Sequence, residues 1–401
     1  MSGRGCGFAT GALGLQADGT HAFNGTQAAM KLALVSTGLG HVNRGFEIST
    51  ARWFDALRTH TDLDVRLFCG GDYPGARKVW NFPRQSLWTA PFQFLPLCPE
   101  KQRWELCYGM EQLSFWPALN LELMAWRPDV VWVKDIPLAH FLMVSRPLLG
   151  LRYKIILCNG GMLKPSTYKD FDVIQQMSLC AYEEALQFGI RPERMALISN
   201  CCPALTTKGA RSEIRARLGY SPEDYVVISV AAWNKYHKRI DYLIREIAAM
   251  KDERVKLLLC GAPEVDASEL KDLGARLLGD RVKWITVPPP EVPDLLLASD
   301  VFVLASLRES LGNALLEAVL SGMPVVTHPH DGARFIMQDQ THWMSDLSKD
   351  GALRDRLIQL KHNPPTAADV EVLRADVAQR FSDTNLSRQF ERMVKECLNA
   401  S

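Results

Sequence analysis

The sequence predicts an α/β protein made of two doubly wound parallel-sheet domains that face each other across a cleft. The chain has 401 residues, room for two domains of ordinary size. From Lys31 onward, short apolar runs alternate with longer amphipathic stretches, the pattern of buried parallel strands joined by crossover helices. A polar stretch from Thr206 to Pro222 then separates two sets of such runs that share no detectable sequence repeat.

Taken in order, residues 1–29 hold seven glycines among small and polar side chains, with neither a strand nor a helix period, and are expected to be disordered. They lack the basic start and continuous apolar stretch of a secretory signal. Met30-Lys31 opens the first good strand and is an alternative translation start. In the first domain (30–205) the strands are Lys31 to Ser36, Asp64 to Cys69, Asp129 to Val133, Tyr153 to Cys158 and Arg194 to Ser199, with helices over Phe46 to Thr59 and Pro137 to Leu149. The second domain (206–380) has strands at Tyr225 to Ala231, Val255 to Cys260, Arg281 to Thr286, Asp300 to Ala305 and Pro324 to Thr327. In 381–401, the stretch Asn385 to Leu398 places Leu386, Phe390, Met393, Val394 and Leu398 at helical spacing, so this helix must pack on something, with the first domain as one destination.

Composition excludes several classes. With 46 Lys plus Arg against 45 Asp plus Glu, the net charge is +1, and no nucleic-acid partner is expected. No uncharged apolar run approaches the roughly 18 residues of a spanning helix. The ten cysteines fit neither a disulfide framework nor a zinc site, which points to a reducing cytosol. Among the tryptophans, Trp80, Trp88, Trp104, Trp116, Trp126 and Trp132 crowd the first domain and are expected mostly in the core. Phe92 to Leu97 and Trp104 to Leu123 are the stretches that suit an apolar acceptor wall or a peripheral contact with the inner face of a membrane.

Thr37-Gly38-Leu39-Gly40 follows the first strand and precedes a helix, an arrangement that either cradles an anion or turns the chain tightly. A dinucleotide fingerprint needs a third glycine where Asn43 stands, so a nicotinamide enzyme is disfavoured.

The most informative stretch runs from Ser306 to Pro324. Helix onset near Gly312 leaves Glu309 in the loop and puts Glu317 more than a turn inside, so both carboxylates can face one ligand. Between them, the backbone N–H groups of Ser310, Leu311, Gly312 and Asn313 make a helix start suited to phosphate. Carboxylates for vicinal hydroxyls beside a helix end for phosphate suit a nucleotide sugar. The bland alternative is a first-turn acid favoured by the helix dipole and a solvated helix residue, although the apolar neighbours of Glu317 argue against solvation.

Here the chain resembles glycosyltransferase family 4, whose proteins have the GT-B fold of two Rossmann-like domains and an E-x7-E signature, matched by Glu309 and Glu317. The match extends over Asp300 to Pro324 and is looser but collinear from Lys31 onward. The resemblance implies a retaining, metal-independent transfer of a sugar from a nucleotide-diphosphate donor to an acceptor hydroxyl, with Glu309 on the sugar and Glu317 on the ribose. It also implies an arginine and a lysine facing the donor phosphates. Lys238 matches the lysine and is the catalytic cation expected alongside Glu309, but Trp233 stands at the arginine position, so Lys235 or Arg239 is left to supply the second cation. All three are otherwise a solvated basic helix start. Gly332 matches the glycine of a turn near the donor sugar, while Phe335 replaces its acid. In the first domain, Asp135 either orients the acceptor or caps the following helix, and Asn159, where relatives carry a histidine, can bind a hydroxyl but not move a proton. No metal or cofactor beyond the donor substrate is expected. His328 and His330 are read as loop donors. Two other readings stand beside transfer: a sugar-nucleotide epimerase or hydrolase of the same fold, and a non-catalytic nucleotide-sugar or glycan-binding scaffold, for which Trp233 is the main support.

Overall fold

In a computed structural model the described residues are 29–42, 45–89, 91, 100–160, 163–200 and 205–399. The expected disorder before Ala29, the Phe92 to Leu97 stretch, Gly161 and the Cys201-Cys202 pair lie outside them.

Twelve strands among the described residues form two all-parallel sheets. The first contains β1 (Lys31–Ser36), β2 (Asp64–Cys69), β3 (Arg77–Lys78), β4 (Val130–Val133), β5 (Lys154–Asn159), β6 (Val173–Gln176) and β7 (Met195–Leu197), in the order β3-β2-β1-β4-β5-β6-β7. The second contains β8 (Tyr225–Val230), β9 (Val255–Cys260), β10 (Val282–Ile285), β11 (Val301–Leu304) and β12 (Val325–Thr327), in the order β10-β9-β8-β11-β12. Strand order reverses between β1 and β4 in one sheet and between β8 and β11 in the other. At such a switch point the loops leaving adjacent strands diverge and open a crevice beyond their carboxyl ends.

The helices are α1 (Gly45–His60), α2 (Glu100–Trp126), α3 (Ile136–Leu148), α4 (Leu179–Phe188), α5 (Arg211–Arg217), α6 (Ile240–Ala249), α7 (Ala267–Leu278), α8 (Val292–Ala298), α9 (Asn313–Leu320), α10 (Asp331–Met337), α11 (Ala352–His362), α12 (Ala367–Arg380) and α13 (Asp383–Asn399). All ten expected strands are present to within one or two residues. β3 and β6 were not anticipated. The reason for β6 is physical: Gln175 and Gln176 are fully buried, and their amides are satisfied by Trp132, Asn159, Tyr168 and the Ile198 carbonyl, so a central strand reads as polar.

α13 returns to the first domain. Its Phe390 is fully buried 4.7 Å from the Trp53 ring of α1 and 6.0 Å from Trp132 of β4. The expectation that most first-domain tryptophans are core fails for three of them: Trp80, Trp88 and Trp104 are 60%, 72% and 39% exposed.

Candidate active site between the two switch points

The second-domain half is built by two loops, one from each side of the β8/β11 switch. In the first, between β8 and α6, Asn234 is the organiser: its buried Oδ1 accepts from the backbone N–H groups of His237 (3.1 Å) and Lys238 (2.7 Å), and its Nδ2 donates to Glu264 (2.9 Å). This turns the Lys238 side chain toward β11, where its ammonium pairs with Glu309. His237 Nε2 lies 3.4 Å from the same carboxylate oxygen. Burial pushes the Glu309 carboxyl up, but the Lys238 cation and hydrogen bond, helped by His237, outweigh it and hold the group below its ordinary range.

In the second loop, between β11 and α9, Gly312 takes φ +84 at the N-cap of α9, a left-handed conformation that glycine adopts without cost. Helix onset at Asn313 leaves Glu309 in the loop and Glu317 in the second turn, as the spacing predicts. Ser310, Gly312 and Asn313 are half-buried and Leu311 is buried. The first-turn N–H groups of a helix have no intrahelical acceptors, and Gly312 has no side chain to cap them. This helix start faces the gap between the domains: Asn313 Oδ1 accepts from Asn200 Nδ2 at 3.1 Å, and a Cβ on Gly45, where α1 begins, would lie 3.8 Å from Asn313 Nδ2. Glu317 Oε1 accepts from Arg52 Nη2 of α1 at 3.0 Å.

Three residues expected at the donor are held by the protein's own groups. Lys235 is turned away, with its ammonium 2.6 Å from Glu269 and 3.7 Å from Asp266. Arg239 is a brace, donating to the carbonyls of Ala305 (3.2 Å) and Leu347 (2.7 Å). Gly332 donates its N–H to the Glu309 carbonyl at 3.2 Å, and a Cβ there would sit 2.3 Å from the Leu311 carbonyl oxygen, so it seats α10 against the donor loop. Trp233, at the expected arginine position, is 4% exposed and packs edge-on against Trp284 at 5.0 Å. Among the expected cations, Lys238 alone pairs with Glu309. His330 is no free loop donor: Nδ1 accepts from the Ala333 N–H at 3.0 Å and caps α10.

The first-domain half lies beyond β1, β4 and β5. Gly38 and Gly40 serve the protein's own packing. A Cβ at Gly38 would meet Arg84 Nη2 at 2.4 Å, and Gly40, at φ +87, lies directly on Gly71. Asp135 occupies the N-cap position of α3 but makes no side-chain cap; it accepts from the Tyr108 hydroxyl and lies 3.5 Å from the Thr37 N–H and hydroxyl. Burial raises its carboxyl despite these partners. Arg84 bridges Glu111 (2.6 Å) and Glu47 (3.4 Å) and lies over the Tyr108 ring, which stacks on half-exposed Trp104. Asn159 is buried, with Nδ2 on Gln176, so its side chain belongs to the sheet end. Arg52, Tyr108, Arg84 and Asn200 were not singled out by the sequence, which offers no local signal for contacts made across tens to hundreds of residues; Asn234 was also missed, although its bonds to the N–H groups three and four residues on are local.

The geometry meets known proteins at this point. The sequence profile described as "Glycosyl transferases group 1" matches residues 210–372, a span that holds both second-domain loops. Residues 210–372 are therefore similar to a group 1 glycosyltransferase domain. A D-inositol 3-phosphate glycosyltransferase of Corynebacterium aurimucosum is 28% identical over 200 residues, covering 46% of each chain. An N-acetyl-alpha-D-glucosaminyl L-malate synthase of Bacillus anthracis is 25% identical over 190 residues, covering 47% of this chain and 49% of the relative. The chain thus spans about half the length of the curated relatives it matches. Beyond the group 1 domain the fold agrees throughout. The Anabaena protein HepE, solved with UDP and glucose, superposes with TM-score 0.72 at 18% identity over 91% of this chain and 99% of that one. A sucrose-phosphate synthase of Thermosynechococcus elongatus gives 0.73 at 17% identity over 93% and 100%. The described residues have the two-domain GT-B architecture.

Proposed function

We propose that the protein is a retaining glycosyltransferase that moves a sugar from a nucleotide-diphosphate donor to an acceptor hydroxyl. The observation that carries this is the convergence, at the β8/β11 switch point, of the Lys238–Glu309 pair, the uncapped start of α9 and Glu317, the last two meeting the first domain through Asn200 and Arg52. Glu317 accepts hydrogen bonds from the ribose diol, and the α9 start holds the diphosphate. Glu309 takes the sugar hydroxyls. Lys238 faces the charge that grows on the diphosphate as the glycosyl bond breaks, so its interaction strengthens in the transition state. Retention follows if the acceptor attacks from the face the diphosphate leaves, with the diphosphate oxygen taking the proton; the domain cleft supplies the positioning.

The donor fits what the structural neighbours hold, since HepE was solved with UDP and glucose. The acceptor lies against the first domain, where Trp104 and Tyr108 offer aromatic faces beside Arg84. The outer face of α2 exposes Leu106, Leu113, Leu121 and Met124 beside exposed Trp80, Leu87 and Trp88, which suits an acceptor presented at a membrane surface. No described helix is long and apolar enough to cross a membrane. The scaffold reading keeps its support in Trp233, whose burial against Trp284 leaves the arginine position without a cation.

The test is to incubate the purified protein with UDP-, ADP- and GDP-sugars and follow nucleotide release with and without candidate acceptors. One donor should give acceptor-dependent release. Thermal shift by nucleotides without any release would favour the scaffold, and acceptor-independent release the hydrolase.

A further inference from the structure

Glu317, the carboxylate that the proposed function gives to the ribose, does not stand alone in the cleft. Its Oε1 accepts from the Arg52 guanidinium at 3.0 Å, from a residue 265 positions earlier in the chain and in the other domain. Both side chains are largely withdrawn from water, at 20% and 15% exposure. A charge-assisted bond in such surroundings fixes the carboxylate rotamer and carries more weight than an exposed pair. The two helices involved, α1 and α9, also meet at their starts through Gly45 and Asn313. Meanwhile Lys235 and Arg239 are held by other groups of the second domain, and Trp233 fills the core. The cation that reaches Glu317 comes from the first domain.

We infer that Arg52 is a positioning residue for the donor. It holds Oε1 of Glu317 so that the remaining lone pairs of the carboxylate meet the ribose diol, and it makes the approach of the two domains part of nucleotide binding. A carboxylate accepts up to about four hydrogen bonds, so one guanidinium N–H leaves room for two hydroxyls. The inference rests on the ribose role of Glu317.

The experiment is a double-mutant cycle on the full chain, with UDP, ADP and GDP titrated by calorimetry into wild type, Glu317→Ala, Arg52→Ala and the double variant. Arg52→Gln, which keeps the length and removes the charge, stands in if Arg52→Ala fails to fold. Glu317→Ala should weaken the nucleotide that wild type binds by about 10–100-fold, the scale of charge-assisted hydrogen bonds. Arg52→Ala should weaken it by about 10-fold, and add less than about 2-fold once Glu317 is gone, because coupled residues are non-additive. In turnover assays the donor KM should rise with kcat nearly unchanged, and Arg52→Lys should restore most of the loss. Unchanged or tighter nucleotide binding in Arg52→Ala overturns the inference. So does an equal loss in the Glu317→Ala background, which would place Arg52's effect elsewhere. Unchanged binding in Glu317→Ala instead overturns the ribose reading itself, and the inference with it.

Discussion

Lys238 pairs with Glu309, and His330 at the N-cap of α10 feels the charge of the same carboxylate. Lys238 is an ammonium committed to a buried carboxylate. Lys238→Ala should leave nucleotide affinity within a few-fold while lowering kcat by about 100- to 1000-fold, the usual cost of losing one stabiliser of developing charge. Comparing calorimetric Kd with initial rates checks this. His330 must stay neutral, because its Nδ1 is the acceptor that caps α10. Burial, the leading cause, holds its imidazole at about 4, against an ordinary 6.5. A folded value below the unfolded one means that the unfolded chain binds more protons between those limits, so stability present above 6.5 is lost as the pH falls toward 4. Glu309, also depressed, gives up its share as the pH falls from the ordinary carboxylate range toward its lower folded value. Denaturation followed from pH 7 to pH 4 should show the decline, and His330→Ala should flatten it while costing about 1 kcal/mol for the lost cap at pH 7.

Elements in this fold are placed by close approaches as much as by apolar faces. α10 reaches the donor loop because residue 332 has no side chain; Gly332→Ala forces the Leu311 carbonyl aside and should raise donor KM several-fold while lowering Tm, measured together by kinetics and thermal melting. The strand β6 shows a different economy. Its two buried glutamines tie β4, β5 and β7 together through side-chain amides, with Trp132 Nε1 donating to Gln175 Oε1 at 2.7 Å and Gln175 Nε2 to the Ile198 carbonyl at 2.9 Å. Gln175→Leu leaves the buried indole N–H and that carbonyl without partners and should destabilise by about 2–6 kcal/mol, at about 1–3 per orphaned group, in a denaturant titration.

Across the whole molecule, the last helix closes a loop in the architecture. The chain runs through the first domain, then the second, and α13 comes home to fill the space between α1 and β4 with Phe390. Phe390→Ala opens a cavity against Trp53 and Trp132 and should cost about 3–5 kcal/mol. Tryptophan fluorescence during unfolding should report the loss in the first domain. The same return holds the first-domain face of the cleft, so donor binding should weaken in this variant before the fold is lost.

The alternation of apolar runs and amphipathic stretches was enough to write down two parallel sheets, and Glu309, Gly312 and Glu317 were legible because loop, glycine and helix onset fix their relation within nine residues. Lys238 was expected near Glu309 only through the family resemblance; the pairing itself is made by the strand order at the β8/β11 switch point. Periodicity could not supply the rest. A strand with buried glutamines looks polar until its partners are present, and an arginine that completes a carboxylate from another domain carries no mark in its own helix. Lys235 and Arg239 looked as available as Lys238. Only the folded chain decided among the three, because hydrogen-bond geometry and burial depend on what each side chain meets in space, and a sequence records only what each follows.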